Sequence, residues 1–219
     1  MARSTDPRIL SFQALRRTVG TVAIALPVIL AYWGTLFSTG ILPTMSDFYY
    51  TDMQDIFVGS LLVIGVFLLS YQGYEKAKDE KISDTTLLRI AGVSVIIVAL
   101  LPTDPAGKMD SVRGTIHLIA AGIFLFTIGY ISWAKFSRTH DVKLRRVYKI
   151  LGAITLGSLF IMAAGQIPMV KALWPNPPAN WVFWLETVAV FAYGSAWLIK
   201  GKASEGVVAL SNRLLGRGA

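Results

Sequence analysis

Several ionisable residues interrupt an otherwise apolar chain, and their types suit acid–base chemistry or the holding of a hard cation. The stretch PTMSDFYYTDMQD, Pro43 to Asp55, carries Ser46, Asp47, Asp52 and Asp55 with Tyr49 and Tyr50, and it contains no Lys or Arg. Asp52 and Asp55 are spaced i, i+3 and share a face if the following helix starts early. Asp47 or Asp52 equally suits the plainer role of a helix cap. Asp104 stands in LPTDP, His117 in GTIH, Gln166 at the end of an apolar run, and Glu186 inside WVFWLETVAVF. An ionisable residue within an apolar span is costly, so Glu186 marks either a functional site or a polar clamp between helices. Its candidate partners are His117, Arg113 and Lys171, and a coupled Glu186–His117 pair is the leading expectation. Acid–base work is assigned to Asp55, Asp104, His117 and Glu186. Substrate contacts are assigned to Ser46, Asp47, Tyr49, Tyr50, Asp52, Gln166 and Trp184. Asp55, Asp104 and Glu186 also offer the hard oxygen ligands that Mg²⁺, Ca²⁺ or Mn²⁺ prefer, which makes a divalent cation the candidate cofactor. A zinc site is not expected, because it needs three or four ligands and one histidine is at hand.

The elements that must position these groups are membrane helices. Of 219 residues, 54% are hydrophobic and only 16% charged, which lies outside the range of soluble globular chains. Six apolar runs cover about residues 19–37, 56–71, 87–101, 115–133, 150–167 and 181–199. About 20 helical residues cross a hydrocarbon core of about 30 Å, and helix is the only open-ended spanning form. The expected fold is therefore all-α: a single domain over residues 1–219 with six transmembrane helices. The third run gives only about 22 Å of helix. It is expected to gain length from the LPTDP loop dipping into a protein-lined cavity, or else from Thr85 and Thr86 at its other end.

Of the 21 basic residues, all but Lys108, Arg113 and Lys171 fall at the two termini or in the second-to-third and fourth-to-fifth connections. The positive-inside rule then puts both termini in the cytoplasm and the acidic stretch on the outer side. It also reassigns the +8 net charge to insertion and anionic headgroups, so nucleic acid is not an expected partner and membrane lipids are. The first run, preceded by about 18 residues, reads as an anchor. The segments RILSFQALRR and EGVVALSNRLLGR read as amphipathic ends lying in the headgroup plane. Cysteine is absent, which excludes disulfides and thiolate chemistry, and neither a serine-hydrolase elbow, a P-loop nor a dinucleotide fingerprint occurs. His140 beside Asp141 reads as an ordinary surface pair.

SDFYYTDMQDIFVG, the PTD of Pro102–Asp104 and the GTIH of Gly114–His117 resemble the corresponding stretches of an uncharacterised group of small bacterial six-helix membrane proteins. That group is in turn distantly similar to eukaryotic post-GPI-attachment lipid-remodelling and autophagy-modulator membrane proteins, which implies a lipid-linked role and a bacterial cell-membrane location. The several histidines of ceramidase-like membrane hydrolases are missing, so their zinc chemistry is not implied.

Three functions fit these residues. The first is a membrane-organising, partner-binding or lipid-binding protein with an outer acidic pocket. The second is an outer-leaflet enzyme acting on a lipid or lipid-linked substrate by acid–base or metal-assisted chemistry. The third is a proton- or cation-coupled transporter, against which stands the scarcity of embedded polar residues in the cytoplasmic half.

Overall fold

Every apolar run becomes a helix. In the computed structural model, which describes residues 7–37, 40–73, 80, 82–105 and 111–202, these are α1 (Pro7–Leu36), α2 (Gln54–Ser70), α3 (Asp84–Leu100), α4 (Val112–Tyr130), α5 (Val142–Ala164), the short α6 (Pro168–Leu173) and α7 (Trp181–Lys200). No strand occurs among the described residues. A 3-10 turn spans Ser46–Tyr50, and α4 runs on into a wider π-helical segment, Ile131–Phe136. Gln13–Leu36, Val112–Phe136, Val142–Ala164 and Trp181–Lys200 are long and apolar enough to cross a membrane. They mark a multi-pass membrane protein. The apolar α2 is shorter, at 17 residues.

The third apolar run gains its length at the N-terminal end, not at the loop end favoured from sequence. Ser83 caps α3 by accepting from the Thr86 N–H, and the helix takes in Thr85 and Thr86. The cap satisfies an otherwise orphaned donor, so extension there costs little. After Leu100 the chain leaves helical geometry, although Pro102 is buried. The amphipathic C-terminal segment, EGVVALSNRLLGR, lies outside the described residues.

The long helices form a closed ring: α1 packs on α2, α2 on α3, α3 on α4, α4 on α5, α5 on α7, and α7 back on α1. Glycine pairs bring the backbones together at several crossings. A Cβ on Gly20 would sit 2.7 Å from the Gly194 carbonyl oxygen, one on Gly92 2.9 Å from that of Gly65, and one on Gly152 2.8 Å from that of Gly129. Lipid tails are as apolar as the helices, so association rests on such close packing. The ring's outward faces carry Val63, Ile119, Phe126 and Phe160, all exposed.

The two ends of the ring differ in chemistry. At one end, Phe67, Tyr71, Phe136 and Trp197 pack edge-on or tilted against one another, with Lys200 over the Phe136 ring. There the buried Lys135 ammonium meets Glu80 at 3.0 Å, Asp84 at 3.0 Å and the Ile82 carbonyl at 2.8 Å, and Arg138 also pairs with Glu80. Arg16 on α1 reaches the Tyr71 hydroxyl. The other end, where α1, α3 and α5 finish and α2, α4 and α7 begin, holds the polar residues singled out from sequence.

The glycine crossings set a test. Gly152→Ala should destabilise the detergent-solubilised protein by about 1–3 kcal/mol, because its Cβ would also lie 2.5 Å from the Trp133 backbone nitrogen. Gly157→Ala, with nothing within 4 Å, should leave the melting temperature unchanged or raise it. Equal melting temperatures for the two variants would contradict the packing described.

Candidate functional site

Pro43–Tyr50 is the piece of chain that builds the site. Helices begin with N–H groups that lack intrahelical acceptors, and a helix start inside a membrane protein must find acceptors elsewhere. The segment supplies one directly: the Phe183 N–H, in the first turn of α7, donates to the Pro43 carbonyl at 2.9 Å. One turn further on, the Glu186 carboxylate accepts the Met45 N–H at 2.7 Å. The segment is held to α7 by its own backbone in both directions. Thr44 and Asp47 stiffen it, because the Asp47 carboxylate accepts from the Thr44 N–H and hydroxyl, both at 2.9 Å. Phe48 then drops completely into the core against Phe183.

The same segment is tied to α4. His117 is 2% exposed and has both ring nitrogens engaged. Its Nδ1 lies 2.6 Å from the Leu101 carbonyl oxygen and its Nε2 2.9 Å from the Ser46 hydroxyl. A carbonyl only accepts, so Nδ1 carries the proton, and in the neutral ring Nε2 accepts from Ser46. Asp104 latches the loop after α3: it accepts from the Ser111 N–H at 3.0 Å and from the Ser111 hydroxyl. Ser111 in turn caps α4 by accepting from the Gly114 N–H at 2.9 Å. A Cβ at Gly114 would overlap the Asp104 carboxylate, so the glycine of GTIH lets the latch close. Tyr50 adds a further tie, donating to the Thr103 carbonyl, and Tyr49 stacks edge-on against it at 5.5 Å.

The expected constellation is therefore only partly assembled. Ser46, His117 and Glu186 meet around the Met45–Ser46 backbone, with Asp47 buried beside them. Glu186 and His117 form no hydrogen bond or ion pair with one another; the inserted segment stands between them and bonds to both. Arg113 and Lys171 are exposed and do not pair with Glu186. Its partner is a backbone N–H, which no side-chain inventory reveals. Asp55, assigned acid–base work from sequence, is exposed in the first turn of α2, where negative charge suits the helix dipole. Asp52, Gln166 and Trp184 are exposed as well. Asp104 is held in the loop latch with Ser111. Among the described residues, no group of three or more His, Asp or Glu side chains converges as a metal-holding set.

Sequence reasoning missed Tyr193. It is 1% exposed on α7, and its hydroxyl has no hydrogen-bond partner. It lines an apolar cavity of ≈ 60 Å³ enclosed by α1, α2, α3, α4 and α7, to which Ser46 and Glu186 also contribute. On this measure one water needs about 10–15 Å³, so the cavity holds a few waters or a short length of alkyl chain. The only hint in the sequence was a tyrosine two turns beyond Glu186 on the same helix.

Comparison with known proteins matches residues 43–200 to a family model described as protein of unknown function (DUF998). The chain belongs to the DUF998 family. No curated protein and no solved structure is matched. The DUF998 match opens at Pro43, the first residue of the inserted segment, and closes at Lys200, the last residue of α7. Within this DUF998 member the matched region contains Ser46, His117, Glu186 and Tyr193. α1 lies outside it, although Ala23 and Leu26 of α1 form part of the cavity wall.

The Met45–Glu186 bond separates two variants. Glu186→Leu leaves the Met45 N–H without an acceptor, which should cost about 1–3 kcal/mol. Glu186→Gln keeps an acceptor oxygen and should retain most of that stability. Amide hydrogen exchange at Met45 should accelerate in the leucine variant only; unchanged exchange would remove the bond from the account.

Proposed function

We propose that this DUF998 protein spans the membrane six times with both termini cytoplasmic, and that its outer end binds an amphipathic lipid. The polar part of the lipid meets Ser46 and Glu186, and its chain enters the cavity between the helices. The observation that carries this reading is the cavity, whose mostly apolar walls include Ser46, Glu186 and Tyr193, the last with an unpartnered buried hydroxyl. Ligand sites in bundles commonly combine apolar walls with a few placed polar groups.

The charge distribution supports the orientation, since 18 of the 21 basic residues lie toward the aromatic and ionic end and only Lys108, Arg113 and Lys171 toward the cavity end. The exposed apolar residues around α6, including Met169, Leu173 and Trp174, suit the outer headgroup interface. The 17-residue α2 and α3 reach about 25 Å each, and the membrane accommodates that shortfall by local thinning at modest cost.

Two measurements test this reading. The chain has no native cysteine, so single cysteines can be placed at will. Asn176→Cys and Asp52→Cys should react from outside intact cells with an impermeant thiol reagent, and His140→Cys should not; the reverse pattern would overturn the topology. Native mass spectrometry of the purified protein should detect bound lipid, and Ala121→Phe, which fills the cavity, should remove it at unchanged melting temperature. Full retention of lipid by that variant would place the ligand elsewhere.

A further inference from the structure

We propose that Ser46 is a nucleophile and His117 its general base, so that the lipid site also cleaves or transfers an acyl ester. This rests on the lipid-binding reading for its substrate, and on separate geometry for its chemistry. A serine hydroxyl is weakly nucleophilic until a base takes its proton, and the base must itself be held in one orientation. Both conditions are met. Ser46 Oγ lies 2.9 Å from His117 Nε2, and His117 Nδ1 lies 2.6 Å from the Leu101 carbonyl oxygen. The carbonyl fixes the tautomer that leaves the Nε2 lone pair on Ser46. It occupies the position held by a carboxylate in the familiar three-residue arrangement, and the recurring feature is geometry, not residue order. His117 is almost fully buried, whereas Ser46 is only partly covered and also lines the cavity. The base is thus shielded and the nucleophile reachable.

The surroundings select the substrate class. Asp47 and Glu186 flank Ser46, and Arg113 and Lys171 are exposed. A phosphate ester would bring negative charge against two carboxylates, and no Lys or Arg among the described residues lines the cavity. A neutral carboxylic ester meets no such repulsion, and its acyl chain matches the apolar walls.

The step balances as follows. Ser46 Oγ bonds to the ester carbonyl carbon while its proton passes to His117 Nε2. The tetrahedral centre collapses, the bond from carbon to the alcohol oxygen breaks, and the leaving alkoxide takes the proton from Nε2. Water, or the hydroxyl of an acceptor alcohol, then attacks the acyl-serine as His117 removes its proton. Collapse releases a carboxylic acid or a new ester, and Ser46 recovers its proton from Nε2.

The test uses the full-length protein in lipid nanodiscs with a long-chain alkyl fluorophosphonate. The expected result is one phosphonyl adduct, mapped to Ser46 by peptide mass spectrometry. Ser46→Ala should abolish it, and His117→Gln should slow labelling at least about 100-fold, the range in which a general base contributes. Because His117→Gln also disturbs the tie to Leu101, Ser46→Cys serves as the second variant. Its thiol should react with a long-chain maleimide at least about tenfold faster than a cysteine at exposed Thr115, because His117 removes the thiol proton. A wild-type protein that carries bound lipid but gives no Ser46 adduct would overturn the catalytic assignment and leave the binding site standing. Labelling of Ser46 in protein that binds no lipid would uphold the nucleophile and overturn the binding reading. Equal labelling rates for wild type and His117→Gln, or a slow Ser46→Cys thiol, would overturn the role of the base.

Discussion

The insertion of Pro43–Ser46 between α4 and α7 is the constraint on which the rest of the structure depends. Two bonds of its main chain, the Pro43 carbonyl accepting from Phe183 N–H and the Met45 N–H donating to the Glu186 carboxylate, fasten it to α7, and one side-chain bond, Ser46 to His117, fastens it to α4. Non-helical backbone at the end of a membrane bundle survives only where each polar group meets a partner. Glu186 is therefore as much an acceptor for the backbone as a candidate ligand for a substrate. The two roles are compatible, because a carboxylate has two oxygens and the Met45 N–H engages only Oε2.

Around this wedge the ring is held by packing of a different kind. The Gly20–Gly194, Gly65–Gly92 and Gly129–Gly152 approaches allow α1 against α7, α2 against α3 and α4 against α5. The buried Lys135 takes three acceptors at the opposite end. A buried ammonium so satisfied fixes geometry, since loss of any partner leaves an uncompensated charge. The central cavity lies between a polar wedge at one end and an aromatic and ionic plug at the other.

The helices were legible because their signal is long and periodic: every apolar run produced one, within a few residues at most ends. Boundaries shifted where local capping decided the matter, as at Ser83, whose hydroxyl started α3 ahead of Leu87. The individual residues Ser46, His117 and Glu186 stood out as polar groups in apolar surroundings. Their arrangement did not. Glu186 was matched with side chains of complementary charge, but it took a backbone N–H, which every residue except proline possesses. Asp55 was grouped with Asp52 on their i, i+3 spacing, yet spacing fixes only a shared face, not the direction that face takes. Asp104 was read as chemistry and is a latch for Ser111, because a short carboxylate next to a helix start serves capping equally well. Tyr193 was passed over because a tyrosine in an aromatic-rich span looks ordinary until its hydroxyl proves to lack a partner.

The contact of α7 with α1 joins the last long helix to the first. During synthesis the chain emerges from its N-terminal end, so α1 to α5 are made before α7 exists. Until α7 arrives, Met45 has no Glu186, the cavity lacks the wall that carries Tyr193, and the glycine face of α1 at Gly20 has nothing to meet. The site is consequently a late product of biogenesis. A nascent chain stopped before Trp181 would hold Ser46 and His117 without a pocket, and any chemistry of that pair would begin only once α7 had been made.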